Sequence, residues 1–208
     1  MSFEGRAKNW DNDARIKRSK IVAEKINEMI GNEKYNSIME YGCATGLISF
    51  NLCDKFKKVT LMDSEREMIE IVKEKAHKYK RNNIFPVQIN LMNEWYKEEK
   101  FNLIYTCLTL HHIIDTENII KIFYDLLNEN GMLCIIDLDK EDGSFHINEK
   151  NFNGHNGFEH KYMENLFQNV GFSSIKSDTF YNGEKIYKEK SIPYSLFYTV
   201  GYKKCLKE

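Results

Sequence analysis

Apolar and polar positions follow one another along most of the 208-residue chain as short strands and amphipathic helices. Apolar residues at three- and four-residue spacing predict a first helix over 15–30, which Gly31 ends. After it, runs rich in β-forming residues alternate with amphipathic stretches. The predicted strands are 37–41, 58–62, 84–89, 101–107 and 132–138, and the predicted helices between them are 46–56, 65–79 and 116–128.

This alternation predicts a parallel sheet with right-handed crossovers and helices on both faces. Near-continuous apolar strands such as LIYTCL and MLCIIDL suit a sheet that is covered on both sides. The order then changes, because a helix over 159–170 precedes two strand-like runs, 173–181 and 194–202, with no helix between them. Such a pair predicts a hairpin. The predicted fold class is α/β, a Rossmann-like, seven-stranded, mostly parallel sheet with an antiparallel C-terminal hairpin strand.

Composition narrows the class of protein. The chain is 42% hydrophobic, 13% aromatic and 29% charged, which is typical of a globular protein. Its 30 basic and 31 acidic side chains argue against a protein built to bind nucleic acid or an anionic membrane. No stretch approaches the roughly 20 apolar residues of a membrane span, and no secretory signal is evident. A cytoplasmic protein with reduced thiols is expected, since no zinc-like spacing links Cys43, Cys53, Cys107, Cys134 and Cys205.

The turn after the first strand carries the first candidate chemistry, because ligands of open parallel sheets bind beyond the carboxyl ends of the strands. Small residues at Gly42, Ala44 and Gly46 allow a sharp turn and close approach of a ligand to the backbone. A dinucleotide fingerprint would need glycine also at positions 44 and 47, where Ala44 and Leu47 stand. A GxGxG-like turn preceded by an acid, Glu40, fits better, and the acid suits a ligand that bears an ammonium group.

This segment resembles the first motif of the class I S-adenosylmethionine-dependent methyltransferases, and later segments match that family in the expected order. Asp63 ends the second strand 17 residues after Gly46. The run FNLIYTCLTLHHIID resembles the fourth-strand motif, and LLNENGMLCIID resembles the helix and fifth strand. GFEHKYMENLFQNVGF resembles the late helix and the turn before the sixth strand. The resemblance extends from about Trp10 to Lys203.

The resemblance implies a site for S-adenosylmethionine and its product S-adenosylhomocysteine. Glu40 would face the methionine amino end, Asp63 would hold the ribose hydroxyls, and Asn90 stands where many relatives carry an acid for the adenine. The alternative for either residue is an exposed acid at a strand end or a helix N-cap. The implied cofactor residues are Glu40, Gly42, Cys43, Ala44, Gly46, Asp63, Ser64, Met68, Asn90, Leu91, Thr106, Cys107 and Leu108, the last three beside the sulfonium.

The expected reaction is in-line displacement of the methyl group by a nucleophilic atom of a small-molecule acceptor. Alignment of two bound molecules supplies much of such a rate, so a general base is optional. His111 is the candidate base, and the alternative is that it packs against the next helix, as we expect of His112. RNA or protein methylation, or cofactor binding without turnover, remain alternatives.

Substrate contacts are expected from the N-terminal segment and from the long polar loop after the fifth strand. Trp10 either covers the site or packs against the first helix. His146 and His155 lie in the loop, and with His111 they complete the candidate substrate residues. The acids and histidines of the loop have no compact ligand spacing, so no metal is predicted.

The resemblance implies one class I methyltransferase domain over 1–208, acting as a monomer or homodimer. Within it, 1–31 would form a cap helix and 35–138 the cofactor-binding half. The loop, the late helix and the terminal hairpin would occupy 139–208.

Overall fold

The structure is a computed structural model that describes residues 7–33, 35–149 and 151–204. Four of the cysteines are free thiols in it, whereas Cys205 lies outside the described residues. None of the helices in the described ranges is both long enough and apolar enough to cross a membrane.

Within the described ranges, five α-helices lie close to their predicted positions. Side-chain caps explain two of the starts, since Asn12 accepts the Arg15 N–H and Asp115 accepts the Asn118 N–H. The second helix is shorter than predicted, because its last turn tightens into a 3₁₀ turn after Leu52. The bounds are α1 Asp13–Ile30, α2 Leu47–Leu52, α3 Arg66–Lys78, α4 Thr116–Leu126 and α5 His160–Val170.

Seven strands form one sheet with the order β3-β2-β1-β4-β5-β7-β6. The pairs β1–β2 and β2–β3 are parallel, whereas β7 pairs antiparallel with both β5 and β6. This confirms the predicted fold class. The bounds are β1 Ser37–Tyr41, β2 Lys58–Asp63, β3 Ile84–Gln88, β4 Phe101–Cys107, β5 Leu127–Leu138, β6 Phe172–Tyr187 and β7 Lys190–Lys203.

The terminal hairpin is longer than the sequence predicts. Only Lys188 and Glu189 separate β6 from β7, with φ of 45° and 65°. Two positive φ values in a two-residue loop are typical of a type I′ turn, whose twist matches that of the flanking strands. Because such turns favour Asn and Gly, this Lys-Glu pair carries no turn signal in the sequence.

The chain packs as two compact units that part between Ile104 and Tyr105. The first has a core of buried residues from its helices and strands, including Val22, Ile38, Leu61, Met68 and Val72. The second has its own core, including Phe123, Leu133, Ile135, Phe167 and Phe197. The assignment of the whole chain to one domain stays a prediction.

Candidate functional site

The turn after β1 has the left-handed backbone that its small residues allow. Gly42, Ala44 and Gly46 have φ of 70°, 46° and 79°. A Cβ atom on Gly46 would lie 2.8 Å from Cδ2 of Leu61, so this position requires glycine for space as well as for backbone conformation. Ala44 adopts its left-handed conformation at a cost of about 1–2 kcal/mol, and contacts elsewhere must hold it there.

The Asp63 carboxylate supplies such a contact. Its Oδ2 accepts the backbone N–H of Ala44 at 2.8 Å, and its Oδ1 accepts that of Glu65 at 2.9 Å. Burial raises the pKa of Asp63, while these two hydrogen bonds oppose the rise. A carboxylate has about four acceptor positions, so each oxygen keeps capacity for one more donor. Asp63 thus stands at the end of β2 beside the turn, and its chemistry fits a ligand with two hydroxyl donors.

Glu40 is buried at 2% exposure and is bonded to helix α2. The Ser49 hydroxyl donates to its Oε2 at 2.5 Å, and the Ser49 backbone N–H donates to the same oxygen at 3.3 Å. Ser49 is the third residue of α2, so the carboxylate accepts one of the N–H groups that have no partner within the helix. Glu40 is therefore neither an exposed acid nor the N-cap of α2, which is Gly46; it is a buried strand residue bonded to the first turn of that helix. Its role toward the methionine end of a cofactor stays a prediction.

The other predicted cofactor residues of the first unit differ in their exposure. Ser64 is exposed, whereas Cys43 and Met68 are buried. Burial raises the pKa of the Cys43 thiol well above its usual value, so the thiol is neutral and inert. The Asn90 side-chain oxygen accepts the Met92 N–H at 3.0 Å, and the Leu91 N–H donates to the Tyr41 hydroxyl at 3.3 Å.

The N-terminal segment is attached to the turn by residues that the sequence did not single out. Asp11 accepts the Thr45 hydroxyl at 2.5 Å and pairs with the Lys75 ammonium at 2.6 Å. The same ammonium donates to the Thr45 carbonyl at 2.8 Å. Trp10 packs against α1, since the Arg15 guanidinium lies 4.1 Å from its ring centre. Its contact with substrate stays a prediction.

In the second unit, the end of β4 carries an unsatisfied hydroxyl. Oγ1 of Thr106 is buried and has no hydrogen-bond partner. Cys107 is half-buried, and Leu108 has φ of 53° and donates its N–H to the Ile136 carbonyl at 2.9 Å. A buried polar atom without a partner favours a ligand or a water molecule beside it. The position of these residues next to a bound cofactor stays a prediction.

The predicted catalytic histidine is buried against an acid. His111 is 1% exposed, and its Nδ1 donates to Oδ1 of Asp137 at 2.5 Å. Its backbone N–H donates to Oδ2 of the same side chain at 3.2 Å. This bidentate contact fixes the ring, so only Nε2 of His111 remains to take a proton or bind a ligand. The sequence offered no sign of this partner, because Asp137 lies inside an apolar strand.

The long loop after β5 is folded against the His111 segment. The ring of His146 lies 4.9 Å from that of His111, measured between ring centres, and stacks on Phe152 at 3.7 Å. His155 is attached by its backbone, whose N–H donates to the His111 carbonyl at 2.8 Å, and by its ring, which donates to the Ile113 carbonyl at 3.0 Å. The structure thus brings all three predicted substrate histidines of this unit together. His155 is held there by hydrogen bonds to backbone carbonyl groups.

A family model for a methyltransferase domain matches residues 14–178. The chain is 30% identical over 137 residues to malonyl-[acyl-carrier protein] O-methyltransferase 1 of Ilyobacter polytropus. The matched region covers 64% of this chain and 49% of that protein. The chain spans about half the length of the curated relatives it matches.

Solved structures share the fold at low sequence identity. An S-adenosylmethionine-dependent methyltransferase from Aquifex aeolicus is 15% identical with a TM-score of 0.69, over 97% of this chain and 99% of that one. Phosphoethanolamine N-methyltransferase 2 of Haemonchus contortus is 12% identical with a TM-score of 0.72, over 90% of this chain and 53% of that one.

Together, the sheet order, the left-handed turn at the end of β1 and the family match define the class of protein. The chain belongs to the methyltransferase domain family, and it shares its fold with the S-adenosylmethionine-dependent methyltransferase from Aquifex aeolicus. The predicted family is confirmed.

Proposed function

We propose that the protein transfers a methyl group from S-adenosylmethionine to a nucleophilic atom of a small-molecule acceptor. The observation that carries this proposal is the closure of the Gly42–Gly46 turn on Asp63, whose carboxylate holds Ala44 and keeps acceptor capacity on both oxygens. When bound, S-adenosylmethionine supplies a methyl group on a positively charged sulfonium.

The residues of the chain act by binding and orienting. Asp63 accepts hydroxyl donors in a fixed position, because both of its oxygens are already held by backbone N–H groups. Asp11 and Lys75 hold the turn through Thr45, so the backbone that approaches the ligand is set before binding. Pre-organised alignment of reacting groups is worth up to about 7–11 kcal/mol. His111 acting as a base through Nε2 is a further prediction.

A small-molecule acceptor is supported by charge and by the relatives. The formal net charge of −1 does not favour binding to nucleic acid. Similar curated proteins include a malonyl-[acyl-carrier protein] O-methyltransferase and a ubiquinone biosynthesis O-methyltransferase. These names point to oxygen acceptors, and we extend that chemistry to this chain as part of the proposal.

Calorimetry with S-adenosylmethionine, S-adenosylhomocysteine and NAD tests the cofactor. We expect binding of the first two and none of NAD. Asp63→Asn keeps the size of the side chain and removes its charge, and we expect at least a tenfold loss of affinity, since hydrogen bonds to charged groups contribute about 1.5–3 kcal/mol. Asp54→Asn, at an exposed acid paired with Arg81, is the matched control. Equal affinities of the two variants would remove Asp63 from the site.

Labelled cofactor then identifies the acceptor. The protein is incubated with separate pools of metabolites, RNA and protein, and label is expected in the metabolite pool. Transfer only to RNA, or only to protein side chains rather than to an acyl group on a carrier protein, would overturn the small-molecule assignment. Cofactor binding with no transfer to any pool would favour a regulatory protein instead.

A further inference from the structure

We propose that His111, His112 and His146 bind a divalent transition-metal ion. The three side chains offer ligand atoms that lie within 4.8 Å of one another. Two of them come from the 3₁₀ turn after β4, and the third comes from a second 3₁₀ turn, Ser144–His146, in the loop after β5. This inference goes beyond the proposed methyl transfer and does not depend on it.

The burial of His146 supports a ligand at this place. His146 is 5% exposed, and its Nδ1 is buried without a hydrogen-bond partner. Burying a polar nitrogen without a partner costs free energy, because the nitrogen loses its hydrogen bonds to water and gains none in the protein. Oε1 of Glu141 and Oε2 of Glu149, in the same loop, are also buried without partners. An ion bound to the imidazole would satisfy the nitrogen, and it would add positive charge to a loop that carries these carboxylates.

Metal binding requires neutral imidazoles. His146 is buried and His112 is half-buried, and removal from water disfavours the charged form of each ring. The Lys185 ammonium also lowers the pKa of His146. It opposes a cation in the site, but it is held by the Phe145 carbonyl and the Asn148 side chain.

Asp137 lies behind His111, one of the three proposed ligands, and holds its ring in place. Metal-binding histidines usually donate their second N–H to a carboxylate or carbonyl, which fixes the ring and raises its basicity. His111 donates in this way to Asp137, which is fully buried and also accepts the Leu138 N–H at 2.7 Å. The Nε2 atom of His111 is then the ligand. Metal binding and a role of His111 as general base therefore exclude each other.

The geometry and the donor set select the ion. Two nitrogens bound at about 2.1 Å to the same ion lie at most about 4.2 Å apart, and closer in a tetrahedral site. The rings must therefore approach one another by about 1 Å. Three imidazoles suit Zn²⁺ or a similar transition-metal ion rather than Mg²⁺ or Ca²⁺, which prefer oxygen ligands. Three protein ligands leave a fourth position open, where a bound water molecule or hydroxyl group would lose its proton more readily.

Cobalt titration tests the site, because Co²⁺ in a tetrahedral nitrogen site absorbs strongly in the visible range. The full chain, without a histidine tag and stripped with a chelator, is titrated with Co²⁺ and then with Zn²⁺. We expect one ion per chain, with Zn²⁺ displacing Co²⁺. His146→Ala and His112→Ala should lose this binding, and Asp137→Asn should weaken it about 10- to 100-fold. His77→Ala, at an exposed histidine of α3, should bind like the wild type.

Two results would overturn the proposal. One is wild-type protein that binds neither ion at micromolar concentrations, and the other is His146→Ala protein that binds as tightly as the wild type. Circular dichroism of each variant shows whether it folds, and His146→Asn replaces His146→Ala if it does not. Calorimetry with S-adenosylmethionine on the metal-free protein separates the hypotheses, since loss of cofactor binding there counts against the proposed function alone.

Discussion

Replacement of Gly46 by alanine tests whether the turn after β1 is built on close packing. The backbone at Gly46 is left-handed, with φ of 79°, and an alanine there costs about 1–2 kcal/mol in backbone strain. The new Cβ would also lie 2.8 Å from Cδ2 of Leu61 and 3.1 Å from the Phe50 ring. Overpacking of this kind costs about 1–3 kcal/mol more. The expected loss of unfolding free energy is therefore about 2–5 kcal/mol.

Gly171→Ala is the matched control for backbone strain. Gly171 also has a positive φ, 112°, but the nearest side-chain atom to its added Cβ is Oη of Tyr124 at 3.4 Å, an ordinary contact. We expect this variant to lose only about 1–2 kcal/mol. Urea unfolding measures both losses, and calorimetry with S-adenosylmethionine measures affinity, which should fall in Gly46→Ala alone. Equal losses of stability, or unchanged affinity in Gly46→Ala, would refute the packing argument.

Two further predictions concern buried groups outside the turn. Lys203→Met removes an ammonium group that donates to the Tyr124 and Leu127 carbonyls at the end of α4. Urea unfolding should show that the free energy of unfolding falls by about 2–4 kcal/mol. A fall below about 0.5 kcal/mol would contradict this. Burial raises the pKa of Tyr41 from 10.0 to about 12. The folded state therefore holds the phenol proton more tightly than the unfolded state, and the free energy of unfolding should fall by up to about 2.7 kcal/mol as the pH rises from 10 to 12. Tyr41→Phe should flatten this fall in urea unfolding measured across that range, and stability that rises with pH would contradict the assignment.

Most of the fold could be predicted because its signals are local. The apolar spacing of 15–30 acts over a few residues, and it places α1 within two residues of its observed start. The hairpin turn at Lys188 and Glu189 could not be predicted, because its conformation is imposed by the pairing of two long strands rather than by turn-forming residues.

The sequence by itself determined the family, the mostly parallel sheet, and the positions of the Gly42–Gly46 turn and Asp63. These follow from spacing along the chain and from the rule that ligands meet the carboxyl ends of parallel strands. Only the tertiary structure decided that Glu40 bonds to Ser49 in the first turn of α2, and that Asp137 holds His111. It also brought His146 beside histidines more than thirty positions earlier in the chain. Contacts of this kind depend on how strands and loops pack in space, and no local pattern in the chain records which side chains will meet.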